Sequence, residues 1–306
     1  MIDTLALTQK IKETAIQVGF DAVGITKAEL LEEDRSYLNS WLLAGYAGSM
    51  NYMHNYFEKR VDISKLINGA KSVIVLLYNY MPETLQSASA PKVAKYAYGN
   101  DYHYIIKQKL EQVVSQIPEI KLDEQQCFCD SAPLLEKSLA VRAGLGWIGK
   151  NTTLINKRFG SYCFISEIVT DKELIYDKPD LSTHCGNCKR CIDACATNAL
   201  YNEYKMDARK CLSYITVESK NDRSQDEALR YTHTLFGCDK CQSVCPWNLR
   251  FAHSSNHEEL KALDFLDWTN EDWLKMDESK FNKIFKQSAM QRAGYEKIMF
   301  ILNCLM

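Results

Sequence analysis

Two rhythms of hydrophobic positions alternate along the first half of the chain. Leu7, Ile11, Ala15 and Val18 recur at helical spacing and Gly19 follows, which predicts a helix over Leu5 to Val18 with a glycine C-cap. Phe20 to Ile25 reads as a short strand, and Leu38 to Ala44 as a second helical stretch. It runs into Gly45-Tyr46-Ala47-Gly48-Ser49-Met50-Asn51-Tyr52-Met53, a glycine and aromatic loop or a helix junction. Ser72 to Tyr80 is continuously apolar, as a buried strand is, and Met81 to Ala90, with Pro82, is a surface loop. A helix is predicted over Tyr104 to Val114, a strand end over Gln125 to Cys129, an amphipathic helix from Pro133 to Arg142, and an apolar strand over Cys163 to Thr170. Asp171 to Thr183 is polar, contains Pro179 and reads as a domain boundary. Beyond Trp247-Asn248 the tail is helical in pattern: Thr269-Asn270-Glu271-Asp272 resembles a capping box, and Phe281, Ile284 and Phe285 share a helical face.

Strands alternating with helices change the picture at three places where chemistry could sit. Asp130 stands where a strand hands over to a helix. On position alone N-capping is its commoner role, and the sharper reading is a catalytic acid at the mouth of the sheet. Asp101-x-His103 resembles the start of a cobalt-ligating Asp-x-His-x-x-Gly motif, but Ile106 stands where that motif needs glycine. His103 is therefore read as capping or packing at a helix start. Gly144-Leu145-Gly146-Trp147-Ile148-Gly149-Lys150-Asn151-Thr152 matches Gly-x-Gly-x-x-Gly and nearly matches a P-loop. Both need a strand before and a helix after; here a helix precedes and the strand-like Thr153 to Ile155 follows, so neither nucleotide site is predicted. What remains is a cationic backbone loop suited to an anionic or amide-rich ligand.

The densest signal is in cysteine. Eight of the twelve lie between Cys185 and Cys245: Cys185-x-x-Cys188-x-x-Cys191-x-x-x-Cys195, then Cys211, then Cys238-x-x-Cys241-x-x-x-Cys245-Pro246. Three cysteines in x-x steps and a fourth after x-x-x is the spacing of a bacterial two-cluster ferredoxin, in which the fourth cysteine ligates the other cube. Cys185, Cys188, Cys191 and Cys245 are thus assigned to one 4Fe–4S cluster, and Cys195, Cys211, Cys238 and Cys241 to the second. Ala196 departs from the usual proline, and the insert carrying Cys211 and Leu212 to Lys220 is foreign to a small ferredoxin. Two zinc sites are the rival reading, against which the Cys-x-x-Cys-x-x-Cys triplet counts, since zinc knuckles favour paired units. Two clusters in one fold imply that electrons pass through the protein.

Composition narrows the setting. At 306 residues there is room for about two domains, and 46% hydrophobic with 25% charged residues is an ordinary soluble balance. The start, Met1-Ile2-Asp3-Thr4, has no basic region or apolar run of a signal peptide, and no segment has the length of a membrane span. With twelve cysteines, a reducing cytoplasm is expected. A net charge of −2 leaves any RNA contact to local patches.

Asp130-Ser131-Ala132-Pro133-Leu134-Leu135-Glu136, the Ala143 to Thr152 stretch, Cys211-Leu212-Ser213-Tyr214-Ile215-Thr216-Val217-Glu218 and the cysteine arrangement together resemble epoxyqueuosine reductases, from near the N-terminus to about residue 250. The resemblance implies a cobalamin-dependent oxidoreductase, kin to reductive dehalogenases, that removes the epoxide oxygen of epoxyqueuosine in a tRNA anticodon loop as water. It implies cobalamin bound base-off, with no histidine below the cobalt. The expected fold is an α/β (α+β) cobalamin-binding domain over residues 1–175, a two-cluster ferredoxin-like domain over 176–255 and a helical C-terminal segment over 256–306. By position Asp130 matches the family's proton donor. Around the cobalamin the expected contacts are Arg60, Ala97, Asp130, Trp147, Gly149-Lys150-Asn151-Thr152, Gly160, Ser161, Ser213 and Tyr214. Longer relatives carry a further helical-repeat domain, expected to be absent or cut away here.

The chemistry needs two electrons and two protons. A carboxylic acid donates only if it is protonated. A helix N-terminus would hold Asp130 as the anion, whereas burial under corrin and substrate would raise it, and burial is expected to win once tRNA is bound. The target base must flip out to be reached, with neighbours stacking on aromatics and cations on phosphates. Candidate RNA contacts are Lys157, Arg158, Lys189, Arg190, Arg209, Lys210 and Lys220. The expected partners are this tRNA and an external low-potential electron donor, acting on a monomer. Two other functions fit less of the pattern: a soluble reductive dehalogenase, and an electron-transfer module with no corrin.

Overall fold

A computed structural model describes residues 3–123, 126–219 and 232–305. Its centre is a four-stranded sheet in the order Ala22–Lys27, Ser72–Asn79, Cys163–Thr170, Cys127–Phe128, with every neighbouring pair antiparallel. Of the two descriptions expected, α+β is therefore the one that applies.

All eight residues of Ser72–Asn79 are buried, and their alternation sorts them to two faces. Ile74, Leu76 and Tyr78 join Leu7, Ile11 and Ala15 of the helix Thr4–Val18 and Ile106, Leu110 and Val113 of the helix Tyr102–Gln116. Val73, Val75 and Leu77 face Leu139 and Ala140 of the helix Glu136–Arg142. Each side chain of this size withdrawn from water contributes about 1.5–3 kcal/mol, so the period-two pattern holds three layers together. Ile106, the residue that breaks the cobalt-ligand motif, is one of these core side chains and is fully buried.

Local signals act as expected at several ends. Asp3 caps the first helix, and Gly19, at φ +110°, closes it. Thr269 and Asp272 form a reciprocal capping box. The helix predicted over Leu38 to Ala44 begins earlier, at Glu32, because an acidic first turn (Glu32, Glu33, Asp34) suits a helix N-terminus without any apolar periodicity. The glycine motif is a hairpin, Trp147–Ile148 against Leu154–Ile155, preceded by a helix. Asp171 to Thr183 is tied to the sheet edge: the Asp177 side chain accepts from the Ile25 N–H at 2.8 Å, and its own N–H donates to the Ile25 carbonyl.

The tail is helical, with Asn270–Leu274, Glu278–Ile284 and Tyr295–Leu305. It does not pack on itself alone. Trp273, Phe281, Phe285, Ile298 and Leu302 share one core with Ala97 and Tyr98, with Leu212 and Ile215 of the insert, and with Leu235 and Phe236. The insert after Cys211 includes one π-helical turn, Tyr214–Glu218. Three distant stretches of sequence thus close over one another next to the cysteines.

Candidate functional site

A cleft of about 840 Å³ opens beside the edge strand Cys127–Phe128. Tyr52, Tyr56, Arg60, the Asp130–Ser138 segment, Glu218 and Arg292 line it. Asp130 is not a helix cap. The helix begins at Glu136, behind Leu135, and Asp130 stands apart from it at φ +52°. A non-glycine residue in the left-handed region costs free energy and marks a position held for a purpose. Its N–H donates to Glu136 Oε1 at 2.7 Å, which latches the loop to the first turn of that helix.

The Asp130 carboxylate is 57% exposed and faces three partners. The Tyr102 hydroxyl donates to Oδ2 at 2.6 Å, and His103 Nε2 lies 3.6 Å from the same oxygen. Burial alone would raise Asp130. The hydrogen bonds from His103 and Tyr102, with the charges of His103 and Arg292, outweigh it and hold the carboxyl below its ordinary value. Burial alone would lower His103; its bonds to Asp101 and Asp130 reverse that and raise it to about 9. The two carboxylates favour a protonated His103 beside an ionised Asp130, and Arg292 Nη1, 3.2 Å from Nε2, opposes the ring's charge. What holds Asp130 as the anion is this set of side chains, not a helix N-terminus. Sequence reasoning placed His103 as a packing or capping residue. The cap is Asp101, whose side chain accepts the His103 N–H, and the ring points at Asp130. Arg292 was missed altogether, since nothing in the sequence links it to a site lying 162 positions upstream, 292 − 130.

Behind this front lie two more carboxyls. Burial, then the charge of Asp130, pushes Glu136 up to about 8. Glu167, on the central strand, is fully buried with neither carboxylate oxygen hydrogen-bonded, and burial raises it well above the carboxylate range.

The cysteines fall into the two expected groups. Cys195, Cys211, Cys238 and Cys241 line one cavity of about 200 Å³ together with Asn151. Burial, with the neighbouring Cys185 and Cys245 thiols, pushes Cys191 up to about 11, and Cys245 in turn feels Cys185 and Cys188. Cys241 also feels Cys191 across the groups, so the two sites adjoin. Thiolates converging in two adjacent sets of four suit a pair of 4Fe–4S cubes.

The residues expected around a cobalamin divide. Arg60 and Asp130 line the cleft. Ala97 is fully buried in the segment Lys95–Ala97, whose first N–H donates to Asp239 between Cys238 and Cys241. Tyr214 reaches back to the glycine loop, where its hydroxyl accepts from the Ser49 N–H at 2.8 Å and leaves room only for glycine at Gly48. Ser213 opens the π-turn. Trp147 packs with Trp247 and Cys245, and Lys150 Nζ donates to the Gly186 carbonyl and pairs with Glu203. Thr152 turns the hairpin at φ +63°. Gly160, at φ +69°, lies against Asn248, which also accepts from the Ser161 N–H. The side chains of Trp147, Lys150 and Ser161 and the backbone of Gly160 thus join the sheet to the cysteine region and do not line the cleft. Among the described residues four buried N–H groups have no partner: Trp273 Nε1 in the tail core, and Arg60 Nε, Trp147 Nε1 and Asn151 Nδ2 among the expected contacts. Unpartnered buried donors are costly, and the amide carbonyls around a corrin ring are acceptors of the kind they lack.

The expected RNA contacts are scattered. Lys157 pairs with Asp180 at 2.6 Å, and Arg158 donates to the Asp21 carbonyl at 3.3 Å. Arg209 makes a two-point pair with Asp207 and covers the Tyr46 ring. Lys189, Arg190 and Lys210 are exposed, and Lys220 lies outside the described residues. None of these lines the cleft, whose exposed aromatics are Tyr52 and Tyr56.

Among known proteins, residues 184–248 match the 4Fe-4S double cluster binding domain, and residues 60–131, ending just past Asp130, match the epoxyqueuosine reductase QueG family. The epoxyqueuosine reductase of Cyclobacterium marinum is 46% identical over 97% of each chain, and that of Escherichia coli is 33% identical over 96% of this chain and 79% of its own. A crystal structure of an epoxyqueuosine reductase with an epoxyqueuosine-modified tRNA stem loop superposes with a TM-score of 0.86 at 25% identity, covering 98% of this chain and 80% of that one. A catabolic reductive dehalogenase shares the fold more distantly, with a TM-score of 0.51 at 19% identity over 82% of this chain and 33% of its own. With this identity along nearly its whole length, and with the Asp130 cleft set beside two tetrads of cysteine, the chain belongs to the epoxyqueuosine reductase family.

Proposed function

We propose that this protein reduces epoxyqueuosine to queuosine in the anticodon loop of a tRNA, with Asp130 delivering protons to the epoxide oxygen. The observation that carries the role of Asp130 is its placement: a strained, latched, half-exposed carboxyl hydrogen-bonded to Tyr102 at 2.6 Å in the cleft. Tyr102 and His103 orient Oδ2, and the Glu136 latch keeps the loop facing the cleft. Tyr52 and Tyr56, 49% and 68% exposed, can stack the bases flanking a flipped nucleotide.

Cys185, Cys188, Cys191 and Cys245 hold one 4Fe–4S cluster, and Cys195, Cys211, Cys238 and Cys241 the other. The second set lies on the side of the cleft. Asp239, between two of its cysteines, binds Lys95, and the next residue, Tyr96, stands edge-on to Tyr102 at 6.3 Å. The first set abuts the exposed groove of Arg190, Val244 and Leu249, so electrons from an external low-potential donor enter there and leave through the second. Cobalamin, when bound, supplies the reducing metal centre that the clusters feed. Arg60, Asn151 and the backbone near Ala97 are the residues placed to hold it. A reducing cytoplasm suits these thiolates.

The test is anaerobically reconstituted protein with reductant and tRNA carrying epoxyqueuosine, the nucleosides read by mass spectrometry. Cobalamin-dependent conversion to queuosine is expected. Loaded clusters and cobalamin without conversion would refute the assignment.

A further inference from the structure

Removal of an epoxide oxygen as water takes two protons, and Asp130 at rest has none to give. The Tyr102 hydroxyl is nearer, at 2.6 Å, but burial and Asp130 make that phenol hold its proton more tightly than usual; the nearest readily given proton is on His103, 3.6 Å away. Two contacts fix that ring. Nδ1 lies 2.5 Å from Asp101 Oδ1, which turns the Nδ1–H toward Asp101 and leaves Nε2 free to act. The ring stacks on Tyr102 at 4.1 Å, and Tyr102 stacks on Phe164 of the central strand at 3.9 Å. Asp101 is itself pinned to the tail, its N–H donating to the Gln287 carbonyl at 2.5 Å. Nε2 then has two neighbours. Asp130 Oδ2 is 3.6 Å away and can take a proton from it; Arg292 Nη1 is 3.2 Å away and can donate to it only when it is bare.

We propose that His103 is the proton store for Asp130, and that Arg292 of the tail steadies His103 in its emptied state. The inference rests on the epoxide reduction proposed above. When substrate covers the cleft, the Asp130–His103 pair loses water and an ion pair becomes expensive, so the proton moves from Nε2 to Oδ2 and both groups become neutral. Asp130 gives that proton to the oxygen. Solvent refills Nε2, and a second proton follows the same route. Both C–O bonds of the epoxide break, a C=C bond forms, and the oxygen leaves as water with two protons from this pair and two electrons from the clusters. The guanidinium favours the emptied ring, and Asp101 and Asp130 favour the filled one. The other titratable groups facing the pair are Tyr102, Tyr52, Tyr96, Cys129, Lys137, Glu136 and, behind them, Glu167. His103 acts through Asp130, and Arg292 through His103, so both are positioning residues. The tail thereby becomes part of the proton path.

The test has two readouts on the full chain. The first follows the His103 ring by NMR in histidine-labelled protein across pH, without substrate. It should titrate well above an ordinary histidine, lower in Asp101→Asn and higher in Arg292→Gln. A ring titrating in the ordinary range, or unmoved by both variants, overturns the store. The second is single-turnover conversion of epoxyqueuosine tRNA. Wild-type rates should fall on an alkaline limb that moves up in Arg292→Gln and down in Asp101→Asn. His103→Gln, with its iron content verified, should be slowed about 100-fold and lose the limb. Wild-type rate and pH profile in His103→Gln sink the relay alone. Absence of turnover in wild-type protein sinks the epoxide reading and the relay with it.

Discussion

The cysteine region and the Asp130 cleft carry the two halves of one reaction, and they are written in the chain in opposite ways. Seven of the eight cluster cysteines fall in two short runs, Cys185 to Cys195 and Cys238 to Cys245. The cleft draws on residues 52–60, 101–103, 130–138, 218 and 292. An iron–sulfur cube is rigid and asks for thiolates on a tight loop, so most of its ligands fall in short runs, each tetrad being completed from another segment. Proton transfer asks only that a few atoms come within hydrogen-bond reach, and any folded chain can meet that demand from distant segments. Electron chemistry is therefore spelled locally here, and proton chemistry is assembled by the tertiary structure.

The sharpest way to break this comparison is through the cysteines. Replacing Cys188 or Cys238 with alanine should cost one cluster, about half the iron, and all turnover. Cys304→Ser and Cys163→Ser, outside both tetrads, should keep full iron content. Iron analysis and electron paramagnetic resonance check this, and equal losses in both groups would mean that spacing does not define the ligands.

The next effect lies in the cleft. Asp130→Asn should keep both clusters and lower single-turnover rates by about 100- to 10,000-fold, the range set by general acid catalysis. Retained activity would remove Asp130 from the mechanism. A smaller effect is expected at the latch. Glu136→Gln keeps an acceptor for the Asp130 N–H, whereas Glu136→Ala loses a hydrogen bond of about 1 kcal/mol, so alanine should slow turnover by about fivefold relative to glutamine. Equal rates for the two would show that the loop does not depend on this bond.

The smallest effect is on stability. Glu167 is raised in the folded protein, so it binds a proton there at pH values where the unfolded chain has lost it. Its stabilising contribution is complete below the ordinary carboxylate range and is lost as pH rises through its raised folded value. Glu167→Gln should flatten the decline of denaturant stability as pH rises above the ordinary carboxylate range, and leave stability below that range little changed. An unchanged slope would mean that the carboxyl is ionised in the fold.

Much of the architecture was legible from the sequence for physical reasons that can be named. The helix closed by Gly19, the buried strand Ser72–Asn79, the capping box at Thr269 and the two short cysteine runs all depend on neighbours within about four residues of one another, or on a period that burial enforces. The glycine motif was set aside correctly because its flanking elements come in the wrong order for a nucleotide site. Local reasoning failed where an element's role is decided elsewhere. Asp130 has the sequence of a cap and stands at φ +52° outside the helix, because Glu136 holds its N–H and Tyr102 its carboxylate. Nor could local reasoning show that the Trp147, Lys150 and Ser161 side chains tie the sheet to the cysteine region.

By itself the sequence determined the layers, the double-cluster domain and the family, since periodicity, spacing and identity are properties of a string. Only the tertiary structure decided that Tyr102 and His103 face the Asp130 carboxylate and that an arginine from the tail stands beside them. Those outcomes depend on charges a few ångströms apart and on how much water each can reach, and neither quantity exists until the distant segments have packed.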